Sequence, residues 1–428
     1  MKKIRQLILF LVDIALAFLA LLLTVFIGFW ENFSYRIFKL HIIPFLILYA
    51  AWFCLLYIFG LYDLDIKAEL LKRTGQCLLI CLGIGLAFFY LIPLFGITPK
   101  TNLLINIFFF GGLIFVWRKI FYLLFSSLYL QNIAFLGKNP IALKLIEEIK
   151  SQPQLGYKFI GFLNENQPIE SQLEKVRILV VAEKLSPKLT KKLYKALSSE
   201  VAFLDLAQAY ATLLHKIPID FVEEDWFLKN LNHKGKMYDK AKRGSDVILA
   251  LMLMILTSPI WLLTALAIKI EDRGPVFYTQ KRVGKAGNLF KMWKFRSMVP
   301  QAEKKGVQWA KEKDERRTKV GKIIRRLHID EFPQMINVLK GDISCVGPRP
   351  ERPEFVQELE KEIPHYQLRH LIKPGFTGWA QTRYIKYARS KEDSHEKFQY
   401  DLYYIKNRSL LLDSTILLKT FLLFFKKG

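Results

Sequence analysis

The 428-residue chain contains one stretch that sets its character, Arg325-Arg-Leu-His-Ile-Asp-Glu-Phe-Pro-Gln-Met-Ile-Asn-Val-Leu-Lys-Gly-Asp-Ile-Ser-Cys-Val-Gly-Pro-Arg-Pro-Glu351. In it two adjacent acids, Asp330 and Glu331, follow a basic segment and precede a Gly-Pro-Arg-Pro loop. Neighbouring carboxylates repel each other, so they are stable together when cations or a metal share their site. Arginine suits phosphate because its planar fork donates to two oxygens at once. The stretch therefore indicates phosphoryl transfer. The alternative is an acid pair that opens an amphipathic helix, where acids favour the N-terminal dipole.

Further motifs accompany this stretch in chain order. They are Lys242-Arg243-Gly-Ser-Asp246, Ser258-Pro259, Gly274-Pro-Val-Phe-Tyr-Thr-Gln280, Arg282-Val-Gly284, Lys294-Phe-Arg-Ser-Met298, Pro333-Gln334, Val346-Gly-Pro-Arg-Pro350 and Lys373-Pro-Gly-Phe-Thr-Gly-Trp-Ala-Gln381. Together with Arg325 and the acid pair, this set resembles the bacterial sugar transferase family, the polyprenyl-phosphate hexose-1-phosphate transferases, in its long form. Two departures, His328 and Thr382-Arg-Tyr384, leave the reaction type unchanged but do not indicate which sugar is used.

The resemblance implies an enzyme, a phosphoglycosyl transferase. Its expected reaction moves a sugar-1-phosphate from a UDP-sugar to undecaprenyl phosphate, yielding a diphosphate-linked lipid and UMP and initiating exopolysaccharide, O-antigen (lipopolysaccharide) or capsule assembly. Carboxylates can attack phosphorus and divide one hard step into two, and Asp330 is the candidate nucleophile. Glu331 is assigned, by resemblance, to holding Mg²⁺, the expected cofactor. The expected partners are the UDP-sugar, undecaprenyl phosphate and membrane lipid, with a second copy of the chain as a candidate in a homodimer.

Several basic residues are candidates for contacts with phosphate. Arg325, Arg349, Lys294 and Arg296 are expected to neutralise diphosphate oxygens, and Lys242, Arg243 and Arg282 to meet the lipid phosphate. The alternative for each is a contact with lipid headgroups. Lys242 has a second alternative, a helical ion pair with Asp246 four residues later.

Composition narrows the classes of partner. The net charge is +25 although 52% of the residues are apolar. Basic chains bind nucleic acid, anionic membrane faces or anionic substrates. The long apolar runs favour the last two, and no recognised nucleic-acid module is visible. The four cysteines show no metal-ligand spacing and are interpreted as reduced packing residues.

The N-terminal region, residues 1–128, is predicted to be a four-helix transmembrane bundle. Apolar runs at 7–30, 41–62, 77–97 and 102–125 are each near the ~20 residues that cross a bilayer. The flanking lysines and arginines predict that both ends of the bundle are cytoplasmic, in the bacterial inner membrane. Asp13, inside the first run, is expected to pair or snorkel near the basic N-terminus.

Residues 129–235 are predicted to form a soluble α/β domain. Short apolar runs at 132–137, 159–163, 176–181 and 201–205 alternate with helical patterns, which indicates a parallel sheet. The turn over 137–142 keeps one glycine of the dinucleotide fingerprint. We therefore expect a degenerate Rossmann-like domain with a structural or dimerising role rather than a cofactor site.

Residues 236–428 are predicted to be a mostly α-helical, monotopic catalytic domain on the cytoplasmic face. The apolar run at 247–270 is interrupted by Ser258-Pro259, where proline removes a helix hydrogen bond and kinks the chain. Because both flanks are basic, residues 244–271 are predicted to be a re-entrant membrane helix, the alternative being an ordinary span. Residues 290–296, with interleaved cations and aromatics, and 410–425 are predicted to be interfacial helices.

Two functions from other classes remain as alternatives. A membrane-tethered, NAD-dependent nucleotide-sugar dehydratase would use a Tyr-x-x-x-Lys pair, and Tyr238 to Lys242 and Tyr387 to Lys391 have that spacing. A non-enzymatic lipid flippase or scaffold would need more spanning helices or no acid pair. Release of UMP would distinguish the transferase from both.

Overall fold

The computed structural model describes residues 2–31, 33–62, 70–91, 100–127, 130–151, 156–164, 167–183, 185–196, 201–222, 224–231, 234–299, 316–384 and 390–423. The chain is mostly helical, with long apolar helices at the N-terminus and a few small sheets. It divides into two compact units, Met1–Ala209 and Tyr210–Gly428. The three-part division at residues 128 and 235 stays a prediction.

The first unit begins with four long helices, α1 (Lys2–Gly28), α2 (Tyr35–Ile58), α3 (Leu70–Leu91) and α4 (Lys100–Ser127). All four contain a segment long and apolar enough to cross a membrane. α1 packs against α2 and α4, and α3 packs against α2 and α4. Side chains also join α2 to α4, where Asn106 donates to the Tyr49 hydroxyl at 2.8 Å. The four apolar runs in the sequence therefore form four mutually packed helices.

A buried ion pair joins α1 to α4. Arg118 donates to both carboxylate oxygens of Asp13, at 2.9 and 2.7 Å, and both side chains are 0% exposed. Asp13 is therefore paired, as expected, but its partner is Arg118 on α4 rather than a residue of the basic N-terminus. A carboxylate at this depth is costly unless a cation matches it, and the bidentate fork of an arginine on a neighbouring helix supplies that match.

The rest of the first unit contains a sheet with helices between its strands. The elements are β1 (Gln131–Leu136), α5 (Pro140–Ser151), β2 (Tyr157–Phe162), α6 (Ile169–Leu173), β3 (Ile178–Val181), α7 (Pro187–Ala196), β4 (Ala202–Asp205) and α8 (Leu206–Leu213). The sheet has the order β2-β1-β3-β4, and every pair is parallel. Leu136, Leu179 and Leu189 belong to the apolar cluster that packs beside it. The short apolar runs in the sequence thus give parallel strands, as their pattern indicates.

The second unit carries the remaining elements. They are α9 (Glu224–Asn230), α10 (Lys236–Asp272), β5 (Phe277–Val283), β6 (Leu289–Phe295), α11 (Lys319–Arg326), α12 (Gln334–Lys340), β7 (Ser344–Val346), α13 (Pro353–Glu362), β8 (Gly375–Thr377), α14 (Trp379–Arg383), α15 (Lys391–Asn407) and α16 (Leu410–Leu423). α10 is the fifth described helix that is long and apolar enough to cross a membrane. It remains helical through Pro259. Tyr387, from the second Tyr-x-x-x-Lys spacing, lies outside the described residues.

The predicted interfacial helix at residues 290–296 is wrong, because this segment is the strand β6. It pairs antiparallel with β5 in a continuous register from Phe277↔Phe295 to Val283↔Leu289. The turn before it contains Ala286 and Gly287 with φ of 55° and 79°, which reverse the chain tightly. Aromatic residues favour strands as well as membrane interfaces, so their interleaving with lysines did not discriminate between the two structures.

Candidate active site

The acid pair lies in a tight turn between α11 and α12. Thr318 caps α11 by accepting from the Gly321 amide at 2.8 Å. The helix ends at Arg326, and His328 then takes a left-handed conformation with φ of 54°. A 3-10 turn over Ile329–Glu331 follows and places the two carboxyls before α12. The pair therefore precedes a helix, but on a separate turn rather than in the first helical turn.

The Gly-Pro-Arg-Pro loop is held by a two-stranded parallel sheet of β7 and β8. The Gly347 amide donates to the Thr377 carbonyl, and the Gly375 amide donates to the Pro348 carbonyl, both at 2.8 Å. A Cβ added to Gly347 would lie 2.6 Å from the Lys373 carbonyl oxygen, so the close approach requires glycine. This packing fixes the loop that carries Arg349.

Two cations hold the carboxylate of Glu331. Arg349 donates to its Oε1 at 2.5 Å and to its Oε2 at 3.3 Å, and Lys294 donates to Oε1 at 3.0 Å. Lys294 comes from β6 and Arg349 from the loop after β7, so two separate elements converge on one acid. Burial alone would raise the pKa of Glu331, but Arg349 and Lys294 outweigh it and hold that pKa well below its ordinary value. Glu331 is therefore charged and fixed.

Asp330 has a different environment. Its residue is 5% exposed, and within the described part of the chain its carboxyl group accepts no hydrogen bond and has no ion-pair partner. Burial raises the pKa of Asp330, while the positive charge of Lys294 lowers it and the negative charge of Glu331 raises it. Two neighbouring acids thus have opposite pKa shifts, which is typical of paired groups with different chemical roles. Asp330 is therefore the acid of the pair that no cation holds within the described part of the chain.

Arg325 and Arg282 lie close to this centre. The positive charge of Arg325 lowers the pKa of Asp330, against the larger effect of burial. Its buried Nη1 has no hydrogen-bond partner among the residues that the structure describes. Arg282, on β5, donates to the Pro350 carbonyl at 3.2 Å and lies 3.5 Å from the Glu351 carboxylate. Arg282 thereby supports the loop that carries Arg349. Arg325 instead has an Nη1 donor without a partner in the described part of the chain, and it acts on Asp330, the candidate nucleophile.

Three other residues that were predicted to bind phosphate make contacts with other parts of the protein; they are Arg296, Lys242 and Arg243. Arg296 pairs with Asp272 at the end of α10. Lys242 pairs with Asp413 at 2.7 Å, rather than with Asp246, so the helical ion pair considered from the sequence is wrong. The structure does not bring Arg296 or Lys242 to the acid pair.

Arg243 is also occupied by the protein itself. It donates to the carbonyls of Val338 and Leu339, at 2.5 and 2.7 Å, near the end of α12. These carbonyls lack partners within the helix, so a cation there satisfies them and complements the helix dipole. In this structure Arg243 joins α10 to α12. Ser258 and Pro259 lie in the middle of α10, where the Ser258 hydroxyl donates to the Ile255 carbonyl at 2.8 Å.

A polar cleft beside Arg349 was not found from the sequence. It is a shallow cleft that is partly open to solvent, and it is lined by Arg349, Glu351, Tyr366, Arg369, Ala380, Gln381, Ser394, Lys397 and Asp401. Arg369 organises it by donating to Asp401 at 3.0 Å, to the Arg349 carbonyl at 2.9 Å, and to the Tyr366 hydroxyl. Arg349, Glu351, Ala380 and Gln381 belong to the quoted sequence motifs, although no motif predicted a cleft. Tyr366, Arg369, Ser394, Lys397 and Asp401 come from segments without a motif.

The acid pair is a candidate for sharing a metal with a substrate. Among the described residues there is no group of three or more His, Cys, Asp or Glu side chains placed to hold an ion. Mg²⁺, however, is commonly held by one or two carboxylates together with substrate phosphates and water. Asp330 and Glu331 supply that donor set, and Glu331 Oε2 has a single contact, at 3.3 Å. The residues fit a shared Mg²⁺ rather than a site built from protein ligands alone.

Comparison with known proteins gives the family. The profile of the bacterial sugar transferases matches residues 237–427. A UDP-glucose:undecaprenyl-phosphate glucose-1-phosphate transferase from Klebsiella pneumoniae is 32% identical over 320 residues, 68% of this chain and 67% of that protein. The chain belongs to the bacterial sugar transferase family. This result confirms the resemblance found in the sequence motifs.

Two further relatives match a shorter part of this chain at higher identity. A UDP-N-acetylgalactosamine-undecaprenyl-phosphate N-acetylgalactosaminephosphotransferase from Aeromonas hydrophila is 45% identical over 215 residues, 50% of this chain and 50% of that protein. A UDP-glucose:undecaprenyl-phosphate glucose-1-phosphate transferase from Escherichia coli (strain K12) is 43% identical over 183 residues, 42% of this chain and 39% of that protein. The chain therefore spans half or less of these two relatives. Their names share a UDP-linked donor and a lipid phosphate, and differ in the sugar.

Proposed function

We propose that this sugar transferase moves a sugar-1-phosphate from a UDP-sugar to undecaprenyl phosphate, and so initiates assembly of a lipid-linked glycan. The observation that carries the proposal is the unequal pair: a buried Asp330 that has no partner among the described residues lies beside a Glu331 fixed by two cations. The names of the relatives support the same donor and acceptor classes.

The proposed reaction has two balanced steps. In the first, a carboxylate oxygen of Asp330 attacks the sugar-linked phosphorus, the bond from that phosphorus to the bridging oxygen breaks, and UMP leaves with the electron pair. In the second, a phosphate oxygen of undecaprenyl phosphate attacks the same phosphorus, and the Asp330 carboxylate leaves. The attacking form is the charged one, so the cations Lys294 and Arg325 serve it by opposing the effect of burial on the pKa of Asp330.

The fixed cations would then bind the donor. Lys294 and Arg349 meet at Glu331 and present positive charge where diphosphate oxygens would lie. Glu331 is the proposed protein ligand of Mg²⁺, which when bound would offset charge on the phosphoryl oxygens. Glu331 also holds Arg349 in place, and the proposal therefore gives this acid a positioning role as well.

We also propose that α10 is a re-entrant membrane helix. Near its start, Asp246 accepts from the Ser344 hydroxyl and the Cys345 amide, both at 3.0 Å, and near its end Glu271 accepts from the Lys319 amide at 2.6 Å. Between them the apolar middle is exposed, with Ile255 71% and Leu256 70% accessible. A straight segment over 247–270 would be roughly 36 Å long, enough to cross the ~30 Å hydrocarbon layer. Contacts of both ends with one compact unit support entry and exit on the same face.

The basic flanks of the apolar helices support placing that face in the cytoplasm of the bacterial inner membrane. The lipid phosphate would lie at the membrane interface and the UDP-sugar in the water beside it. A catalytic unit anchored by α10 at this boundary would reach both substrates.

For the α/β sheet we propose a degenerate Rossmann-like domain with a structural or dimerising role. At the carboxyl end of β1, Asn139 accepts from the Ala142 amide and donates to the Ala182 carbonyl, both at 2.7 Å. A Cβ on Gly137 would lie 2.7 Å from the Glu183 carboxyl carbon. These side chains fill the crevice where a dinucleotide fold holds its pyrophosphate, and this supports a role without a cofactor.

The alternatives are not favoured. In the dehydratase alternative Lys242 would act with Tyr238, but Lys242 is paired with Asp413. The second candidate pair, Tyr387 and Lys391, includes a residue outside the described part. A lipid flippase or a scaffold would not need the acid pair or the cations that hold it.

The experiment supplies purified protein with Mg²⁺, undecaprenyl phosphate and a panel of UDP-sugars, including UDP-glucose and UDP-N-acetylgalactosamine, and measures UMP. We expect UMP release that depends on both the lipid and one preferred sugar. Absence of UMP with every donor, or loss of water from the UDP-sugar without release of UMP, would contradict the proposal.

A further inference from the structure

The cleft beside Arg349 is lined by polar and charged side chains, most of which have no role in the proposed two-step reaction. Arg349 contacts Glu331 and also lines the cleft, so one guanidinium borders both the acid pair and this space. Its side chain is 42% exposed, which leaves part of the guanidinium open to a ligand. A molecule whose phosphate lies at Arg349 could therefore extend into the cleft.

Gln381, on α14, gives the cleft an unused pair of hydrogen-bonding groups. Both its amide nitrogen and its amide oxygen are buried, and neither has a hydrogen-bond partner among the described residues. Leaving a buried donor and a buried acceptor unpaired is unfavourable. A ligand with an adjacent donor and acceptor would satisfy both atoms of the one side chain.

Lys397, on α15, adds a cation to the same cleft. Within the described chain no carboxylate lies within ion-pair distance of its ammonium group, whose one aromatic contact is the Tyr384 ring at 5.8 Å. Burial lowers the pKa of Lys397, and the nearby charge of Glu351 opposes this effect. Lys397 thus gives the cleft a positive group in addition to Arg349, and such a group is suited to a second phosphate.

We infer that this cleft binds the uridine monophosphate half of the donor, with Lys397 on the nucleotide phosphate and Gln381 on the N3–H and carbonyl edge of uracil. The inference rests on the proposed function. A neutral sugar would give Lys397 no role, and the isoprenoid chain that follows a lipid phosphate would not suit walls formed by Gln381, Ser394 and Asp401. A nucleotide has the charge at one end and the paired donor and acceptor at the other.

The test measures binding of UMP and of ribose 5-phosphate, which lacks the base, to the full chain in detergent by calorimetry. Gln381→Met keeps the side-chain length but removes both hydrogen-bonding groups. It should weaken UMP binding about tenfold and leave ribose 5-phosphate binding unchanged, as expected for two neutral hydrogen bonds. Lys397→Met should weaken both ligands by a similar factor, because both carry the phosphate.

Lys391→Met is the matched control, since Lys391 lies on the same helix, is exposed and pairs with Glu362 outside the cleft. It should change neither affinity. If Gln381→Met unfolds, Gln381→Leu serves instead: it also removes both hydrogen-bonding groups without adding a charge, and should likewise weaken UMP alone.

Unchanged UMP affinity in the Gln381 and Lys397 variants would overturn the inference. So would an equal loss of ribose 5-phosphate in Gln381→Met, or variants that change only the KM for undecaprenyl phosphate. Failure of the proposed reaction would give a different result, namely UMP binding that responds to these variants without any transfer of sugar phosphate.

Discussion

Replacing Arg349 with lysine tests whether the two-pronged contact with Glu331 matters for catalysis. The guanidinium makes two contacts with that carboxylate, at 2.5 and 3.3 Å, and a lysine ammonium would keep one at most. A hydrogen bond to a charged group contributes about 1.5–3 kcal/mol. Because the Arg349 side chain is 42% exposed, solvent screening reduces the loss to about 1–2 kcal/mol. A loss of this size in the transition state lowers kcat/KM by roughly 5- to 30-fold.

The assay is UMP release at saturating lipid with the UDP-sugar varied. Arg326→Lys is the matched control, because Arg326 lies in the same basic segment as Arg325 but is exposed. We expect its kcat/KM to stay within about twofold of the wild type, as is usual for surface substitutions. A wild-type kcat/KM in Arg349→Lys, or an equal decrease in Arg349→Lys and Arg326→Lys, would refute the idea that the two contacts of Arg349 with Glu331 support catalysis.

Three further predictions concern the loop, the nucleophile and the membrane helix. Gly347→Ala should destabilise the protein by about 1–3 kcal/mol, because its Cβ would overlap the Lys373 carbonyl, and this should appear as a lower Tm. Since burial raises the pKa of Asp330, the rate of the first step should fall below a pH that is higher than the ordinary aspartate range, as the carboxylate takes up a proton. Lys294→Met removes a charge that lowers this pKa, so the fall should begin at a still higher pH. Gly274→Cys, in a chain otherwise free of cysteine, should react with an impermeant thiol reagent only from the cytoplasmic side.

Each of these three predictions would be contradicted by a specific result. Gly244→Ala is the control for the loop, because a Cβ there meets no atom within 4 Å among the described residues, and an equal drop in Tm would remove the steric explanation. An acid limb that does not move in Lys294→Met would show that this cation does not act on Asp330. Labelling at residue 274 from the periplasmic side would establish α10 as a span.

The sequence was most informative where function constrains neighbouring residues. The motifs around Asp330, Lys294 and Arg349 predicted a cluster of acids and cations, and the structure brings these residues together. Apolar runs of membrane length and short alternating runs also predicted the N-terminal helices and the parallel sheet. In each case the pattern is local, so a single chain shows it.

Contacts between distant residues could not be predicted in this way. Asp13 meets Arg118 because α1 packs on α4, and no local pattern near either residue specifies that pairing. Lys242 and Arg243 were expected at a phosphate, yet tertiary packing gives them Asp413 and two helix carbonyls as partners. The cleft is assembled from four segments, which is why Lys397 and the residues beside it carried no signal.

The central claim is that Asp330 carries the sugar phosphate between donor and lipid. Its most direct test incubates the protein with a UDP-sugar radiolabelled in the sugar-linked phosphate, without any lipid acceptor, and measures label bound to the denatured protein. We expect label on the wild-type protein, and we expect added undecaprenyl phosphate to remove it. Asp330→Asn should take up no label, because an amide is a far poorer nucleophile. Label retained by Asp330→Asn, or a wild-type protein that takes up no label while turning over in the presence of lipid, would contradict this claim.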